Sequence, residues 1–247
     1  MALENGSKIT YLGHSTFHIL TPGGKAMLID PWVRNNPRCP AEWHSRAENV
    51  DYILVTHGHY DHIGDAVQIG VACQPLTVAV YETAVWLGGK GLTNVEDMNK
   101  GGTLALAGSD TIRVTMVHAD HSCGITDGDQ IVYGGEAAGY VIELEDGFRI
   151  YHAGDTAVFG DMRIIAEIYN PDLVLLPIGD RYVMSPQEAA FATRLLNARA
   201  VIPMHYATYP VLTGAPEAFI KLVDPSVDVI VLEPGQAHKL PAAEEGD

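Results

Sequence analysis

The chain has 247 residues, 47% of them hydrophobic and 19% charged, the balance of a folded globular protein and not of a disordered one. Its formal charge of -16, from 31 acidic and 15 basic residues, repels phosphate backbones and anionic membranes, so a small-molecule substrate is expected, with no nucleic-acid or membrane partner. No stretch approaches the about 20 apolar residues of a bilayer span. Met1 to Gly13 lacks a positive region followed by an apolar run. Cys39, Cys73 and Cys123 are odd in number and without CxxC spacing, which argues against a disulfide framework or zinc knot. A cytoplasmic protein is expected, with homo-oligomerisation left open.

In chain order, Lys8–Leu12, Thr16–Leu20 and Ala26–Asp30 read as strands, the last two flanking the turn Thr21-Pro22-Gly23-Gly24. Asp51–Thr56 is a short, apolar, β-rich run, and a helix is predicted from about His62 to Ala72. Leu76–Val80 reads as a strand and Tyr81–Leu87 as a helix stopped by Gly88-Gly89. Strands follow at Thr103–Leu106 and Thr111–Val117, then at Tyr140–Leu144 and Phe148–His152 around the tight turn Asp146-Gly147. Asp161–Tyr169 reads as a helix and Leu173–Ile178 as a buried strand. Ser185-Pro186-Gln187-Glu188 has the makings of a capping box with proline at the first helical position, and Phe191, Leu195 and Ala198 then line one face. Ala200–Met204 and Val227–Leu232 read as strands, with a short helix opened by Pro216 between them. No linker or repeat divides the chain, so residues 1–247 read as one domain, with sheets in the middle and helices outside.

The chemistry concentrates in Thr56-His57-Gly58-His59-Tyr60-Asp61-His62. Three imidazoles and a carboxylate occupy six positions directly after a buried strand. Such ligands suit Zn, Fe, Mn and Ni. His57 and His59 are two apart and point to the same side of an extended backbone. Asp61 and His62 begin the next element and aim at a neighbouring point, so two adjacent metal ions are physically reasonable. A solvated His-rich loop is the bland alternative, and the full pattern after a strand argues against it. His118, Asp155 and His205 each fall just past a predicted strand, as His57 does. Ligands gather at the carboxyl ends of strands in layered α/β folds, so these three can converge on the first motif.

The His57–His62 segment resembles the signature of the metallo-β-lactamase superfamily. Gly13-His14-Ser15, Ile29-Asp30-Pro31, His57 to Asp65, Tyr151-His152-Ala153-Gly154-Asp155-Thr156, Pro177-Ile178-Gly179-Asp180 and Pro203-Met204-His205-Tyr206 extend the resemblance to nearly the whole chain. They are similar to the UPF0173 metal-dependent hydrolases and, more distantly, to ascorbate-6-phosphate lactonases. The resemblance implies a four-layer αββα sandwich with the site at one edge of its sheets. It implies that His57, His59 and His118 hold one divalent ion, that Asp61, His62 and His205 hold a second, and that Asp155 bridges them. Zinc is the expected ion, with Mn, Fe or Ni as alternatives. A hydroxide on two such ions would attack an ester, lactone, amide or phosphodiester, with Asp61 as the catalytic carboxylate that orients it and takes up a proton. A mononuclear iron sulfur dioxygenase, or another oxidoreductase on the same fold, is the competing reading.

The third motif departs from the family pattern, because His118-Ala119-Asp120-His121 offers two histidines. His118 ends a strand, which fixes a side chain better than a loop does, so His118 is the expected ligand and His121 is expected to line the cleft. His14 and Asp30 are candidates to orient ligands. Asp180 and Arg181 follow the Leu173–Ile178 strand and are candidates to meet substrate, Arg181 through an anionic group. His152 reads as a residue that packs or supports ligands.

Overall fold

In the computed structural model, which describes residues 6–109 and 111–241, the strands sort their side chains by alternation. Residues 1–5, part of the stretch read for a leader, lie outside the described residues. The first half supplies β1 (Lys8–Tyr11), β2 (Phe17–Leu20), β3 (Ala26–Ile29), α1 (Trp43–Arg46), β4 (Tyr52–Leu54), α2 (Tyr60–Ile63), α3 (Ala66–Cys73), β5 (Leu76–Val80), α4 (Tyr81–Gly89) and β6 (Val95–Met98). The second supplies β7 (Thr103–Ala105), β8 (Arg113–His118), a hairpin of β9 (Gly124–Asp127) and β10 (Gln130–Tyr133), β11 (Ala138–Glu143), β12 (Arg149–His152), α5 (Met162–Tyr169), β13 (Leu173–Pro177), α6 (Pro186–Leu195), β14 (Ala200–Met204), α7 (Pro216–Ile220), β15 (Asp228–Val229) and β16 (Ala237–Lys239).

Two seven-stranded sheets result, in the orders β16-β1-β2-β3-β4-β5-β6 and β15-β14-β13-β12-β11-β8-β7. Phe17 and Ile19 of β2, Met27 and Ile29 of β3, and Tyr52 and Leu54 of β4 enter a central core shared with Val114 and Met116 of β8 and with Leu173 and Leu175 of β13. The alternate residues face outward. Leu28, Ile53 and Val55 pack with residues of α1 to α4, and Val174, Leu176 and Val201 pack with residues of α5 to α7. Three apolar cores between two sheets and two helical layers make the expected αββα sandwich. Each buried Leu or Ile contributes about 1.5–3 kcal/mol of transfer free energy.

The topology also places the site. Strands β12, β13, β14 and β15 run parallel to one another, and β11 is antiparallel to both β12 and β8. The carboxyl ends of β8, β12, β13 and β14 therefore share one sheet edge. The first sheet meets that edge where β4 ends. Ala138 donates its N–H to the Thr56 carbonyl at 3.0 Å, and the Tyr140 hydroxyl donates to the Val55 carbonyl at 2.8 Å.

Two element boundaries differ from expectation for identifiable reasons. The predicted His62–Ala72 helix is instead α2 and α3, because the Asp65 N–H is taken by the Pro31 carbonyl at 2.7 Å. The Asp65 carboxylate meanwhile accepts from the N–H groups of Val33 and Arg34. The Val227–Leu232 strand is reduced to β15, and β6, the β9–β10 hairpin and β16 carry no strong alternation that would have announced them. The Ser185 capping box forms as expected, with reciprocal bonds between Ser185 and Glu188.

Candidate metal centre

Thr56 ends the run from β4, and its backbone N–H and hydroxyl both donate to Asp30, at 2.8 and 2.7 Å. Asp30 is fully buried and also accepts from His62 Nδ1 at 2.7 Å. Its oxygens are thus engaged by Thr56 and His62, which makes Asp30 an orienting carboxylate that turns His62 Nε2 toward the centre. The hydroxyl of Thr56 also contacts His57 Nδ1 at 2.9 Å, leaving Nε2 of His57 to face inward, 3.1 Å from His59 Nδ1.

Among the described residues, candidate donors gather into three overlapping groups whose ligand atoms lie within 4.8 Å of one another, one of them Asp30 with His57 and His62. His57, His59 and His121 make the first of the other two, and His14, Asp61, His62 and His205 make the second. Between these two sits Asp155, 3% exposed, at the end of the turn that leaves β12. Its Oδ2 lies 3.0 Å from His205 Nε2, 3.2 Å from His62 Nε2, 3.8 Å from His121 Nε2 and 3.9 Å from His57 Nε2. Gly154, at φ 65°, makes this approach possible, since a Cβ there would stand 2.6 Å from the Ala138 carbonyl oxygen.

His118 is a correction. The structure brings His121, and not His118, to the donor cluster. Val117 belongs to the outer core and Ala119 to the central one, while His118 is exposed, its ring edge-on to Phe159 at 4.8 Å. The chain then turns inward on a loop that is as well held as a strand end. Asp120 donates its N–H to Thr156 Oγ1 at 2.9 Å and accepts from the Ala157 N–H at 3.1 Å. These bonds clip the His121 loop to the Asp155 loop. The His121 ring consequently stands 5.2 Å from that of His57 and 5.1 Å from that of His59.

Asp180 and Arg181 stay outside all three donor groups. They are exposed, on the loop between β13 and α6. Asp180 accepts from the Arg181 N–H and the Thr213 hydroxyl, and the Arg181 guanidinium lies over Tyr182. His152, expected to pack or to support ligands and not to bind metal itself, is buried, with its ring nitrogens occupied by the Ser15 carbonyl and the Gly154 N–H. Sequence reading passed over Thr56, Thr156 and Thr208, which hold the imidazoles and loops. Thr56 and Thr156 directly adjoin motif residues, a usable signal. Thr208 had none.

The electrostatics suit a cation. Burial, followed by the neighbouring histidines, lowers the pKa of His57, His59 and His121, which keeps them in the neutral form that binds metal. His62 is raised instead: burial disfavours its charge, but Asp155 and Asp30 outweigh burial. Asp155 is held well below the ordinary carboxylate range by His205 and His62, against the penalty of burial. Burial likewise opposes the Asp61 carboxylate, but the hydrogen bond from His14 and the charge of His62 hold it down at about 2. Three buried polar atoms of residues in the centre, His62 Nε2, Asp155 Oδ1 and His205 Nδ1, have no hydrogen-bond partner. Imidazoles kept neutral at His57, His59 and His121, ionised carboxylates and unengaged buried polar atoms fit a divalent metal.

Residues 25–206 match the β-lactamase superfamily domain. A UPF0173 metal-dependent hydrolase of Koribacter versatilis is 53% identical over 231 residues, covering 94% of this chain and 97% of that protein. A second, from Rubrobacter xylanophilus, is 48% identical over 94% of this chain and 96% of its own. Among solved structures, a metallo hydrolase from Ignicoccus hospitalis superposes with a TM-score of 0.83 at 34% identity, covering 95% of this chain and 99% of that one. No helix among the described residues is long and apolar enough to cross a membrane. From this donor set on this sandwich, and from these relatives, the chain belongs to the metallo-β-lactamase superfamily and within it to the UPF0173 metal-dependent hydrolases.

Proposed function

We propose that the protein holds two divalent ions, zinc first and Mn, Fe or Ni as alternatives, and hydrolyses an ester, lactone, amide or phosphodiester bond in a small molecule. The observation that carries this reading is Asp155, a single buried carboxylate lying between two donor groups with Oδ2 turned to four imidazoles and Oδ1 unengaged. His57, His59 and His121 would hold one ion, Asp61, His62 and His205 the other, and Asp155 both. Ions held there would supply Lewis acidity, lowering the pKa of water from about 15.7 toward about 7.

The chain's own residues supply the rest. Asp30 and Thr56 lock the rings of His62 and His57, so that ordering these ligands costs little when an ion or substrate arrives. Asp61 is the ionised carboxylate nearest the mouth, its side chain 15% exposed, and is suited to accept the proton of the attacking water and pass it to the leaving group. The charge of -16 favours a small substrate over a polyanion.

The test is elemental analysis after reconstitution, with about two equivalents of transition metal expected per chain. It is followed by a panel of lactones, phosphodiesters and β-lactams assayed with and without chelator. Hydrolysis should disappear on chelation and return with metal. Protein that takes up no metal, or hydrolysis indifferent to chelation, would defeat the reading.

A further inference from the structure

One fully buried side chain of the second donor group has no place in the two ligand sets proposed above. His14 lies on the loop after β1, with Nε2 at 3.1 Å from Asp61 Oδ2 and Nδ1 at 2.9 Å from Thr208 Oγ1. Its carbonyl accepts the His205 N–H at 2.7 Å, and its ring is wedged between those of His205, at 3.9 Å, and Trp32, at 5.1 Å. The ring has no room to turn over, so which nitrogen carries the proton decides what Asp61 meets.

The Thr208 hydroxyl has one proton and two acceptors in reach, His14 Nδ1 at 2.9 Å and the Tyr206 carbonyl at 3.3 Å. Given to Tyr206, that proton leaves His14 to donate from Nδ1. The bare Nε2 lone pair then faces a carboxylate oxygen at 3.1 Å, a repulsive contact in a buried place. Given to His14 Nδ1, it puts the imidazole proton on Nε2, where it becomes a charge-assisted bond to Asp61. The shorter distance and the carboxylate select the same arrangement.

We infer that His14 is a positioning residue, protonated on Nε2 and donating to Asp61, and that Thr208 steadies the ring from outside by donating to Nδ1. His14 then holds one oxygen of Asp61 and leaves the other for the second ion or the reacting water. Through its carbonyl it also fixes the backbone of His205, so the Asp61 side chain and the His205 main chain are set by one residue. Only the metal-affinity arm of the test rests on the function proposed above.

The test uses the full chain with ¹⁵N-labelled histidine, before and after zinc. His14 should show its proton on Nε2. Thr208→Val, nearly isosteric but without the hydroxyl, should leave the proton on Nε2, where Asp61 holds it, but shift the Nδ1 resonance to that of a lone pair without a donor, and Thr208→Ser should restore the parent spectrum. In zinc titrations Thr208→Val should weaken the second equivalent about tenfold, the scale of a lost orienting partner, while sparing the first. Thr208→Ser should bind as the parent does. A wild-type His14 protonated on Nδ1, or bare at Nε2 because it ligates the ion itself, would overturn the inference. So would a Thr208→Val protein with an unchanged Nδ1 resonance, or with that resonance moved but the second affinity intact. A wild-type chain that binds no zinc would defeat the proposed function, while the tautomer result would still decide the role of His14.

Discussion

The centre is built from two halves that differ in how they are encoded. On the first sheet, His57, His59, Asp61 and His62 come from six consecutive positions after β4, and a single buried carboxylate, Asp30, organises them. On the second sheet, His121, Asp155 and His205 come from three loops, each leaving the same edge, and no short motif links them. The first half is a local property of the chain. The second exists only once strands pair and loops are clipped to one another, as Asp120 is to Thr156 and Ala157. Bringing a side chain to the donor cluster therefore does not require a strand residue. A loop held by two main-chain hydrogen bonds serves as well.

The largest effect should fall on the local half. Asp61→Ala removes the carboxylate nearest the mouth and should cut turnover by about 10²–10⁴-fold on whichever substrate the panel identifies. Circular dichroism should show it folded, since the remaining donors and all three cores are untouched. Turnover at the parent rate would remove Asp61 from the chemistry.

The contrast between the halves sharpens at the third motif. His121→Ala should cost one equivalent of bound metal in a zinc titration. His118→Ala should leave stoichiometry unchanged and stability within about 0.5 kcal/mol, as for most exposed positions. The opposite pair of results would return the ligand to the strand end.

A smaller effect tests the clip. Thr156→Val removes the hydroxyl that accepts the Asp120 N–H and donates to the Ala157 carbonyl. It should cost about 1–3 kcal/mol in denaturant unfolding and loosen the His57 side of the centre more than the His205 side. Equal weakening of both ions would mean that the loops do not act separately. The smallest expected signal is none at all: at physiological salt a duplex DNA should give no gel shift with a chain of charge -16. A clear, salt-sensitive shift would contradict the small-molecule reading.

The same contrast explains what could be read from the sequence. The six-residue motif, the Gly154-Asp155 turn and His205 after β14 were legible, because a short apolar β-type run ending in a metal-binding residue type needs no knowledge of the partner strands. The capping box at Ser185 was legible for the same reason. His121 was not, since what fixes it is the bond from its neighbour Asp120 to Thr156, 36 residues further along the chain. The break between α2 and α3 was hidden likewise, because Asp65 takes its partners from the Pro31–Arg34 loop. Local patterns show which residues are offered, and tertiary hydrogen bonds decide which are used.

Backbone conformation adds a final consequence. His14, Asp30, Asp180, Arg181, His205 and Ala207 all hold left-handed dihedrals, with φ between 48° and 65°, although none is glycine. Such residues cost of order 1 kcal/mol or more each and persist only where their surroundings over-determine them. Gly179 adds a position where any side chain would collide with the His205 carbonyl. The protein thus concentrates backbone strain at the rim where its reactive groups emerge. Moving His205 onto an ordinary strand end would misdirect it, because its aim is written partly in the main chain. Glycine at any of these turns would relieve the strain. It would also delete or loosen a group whose direction that strain sets, so a sturdier scaffold would come with a blunted centre.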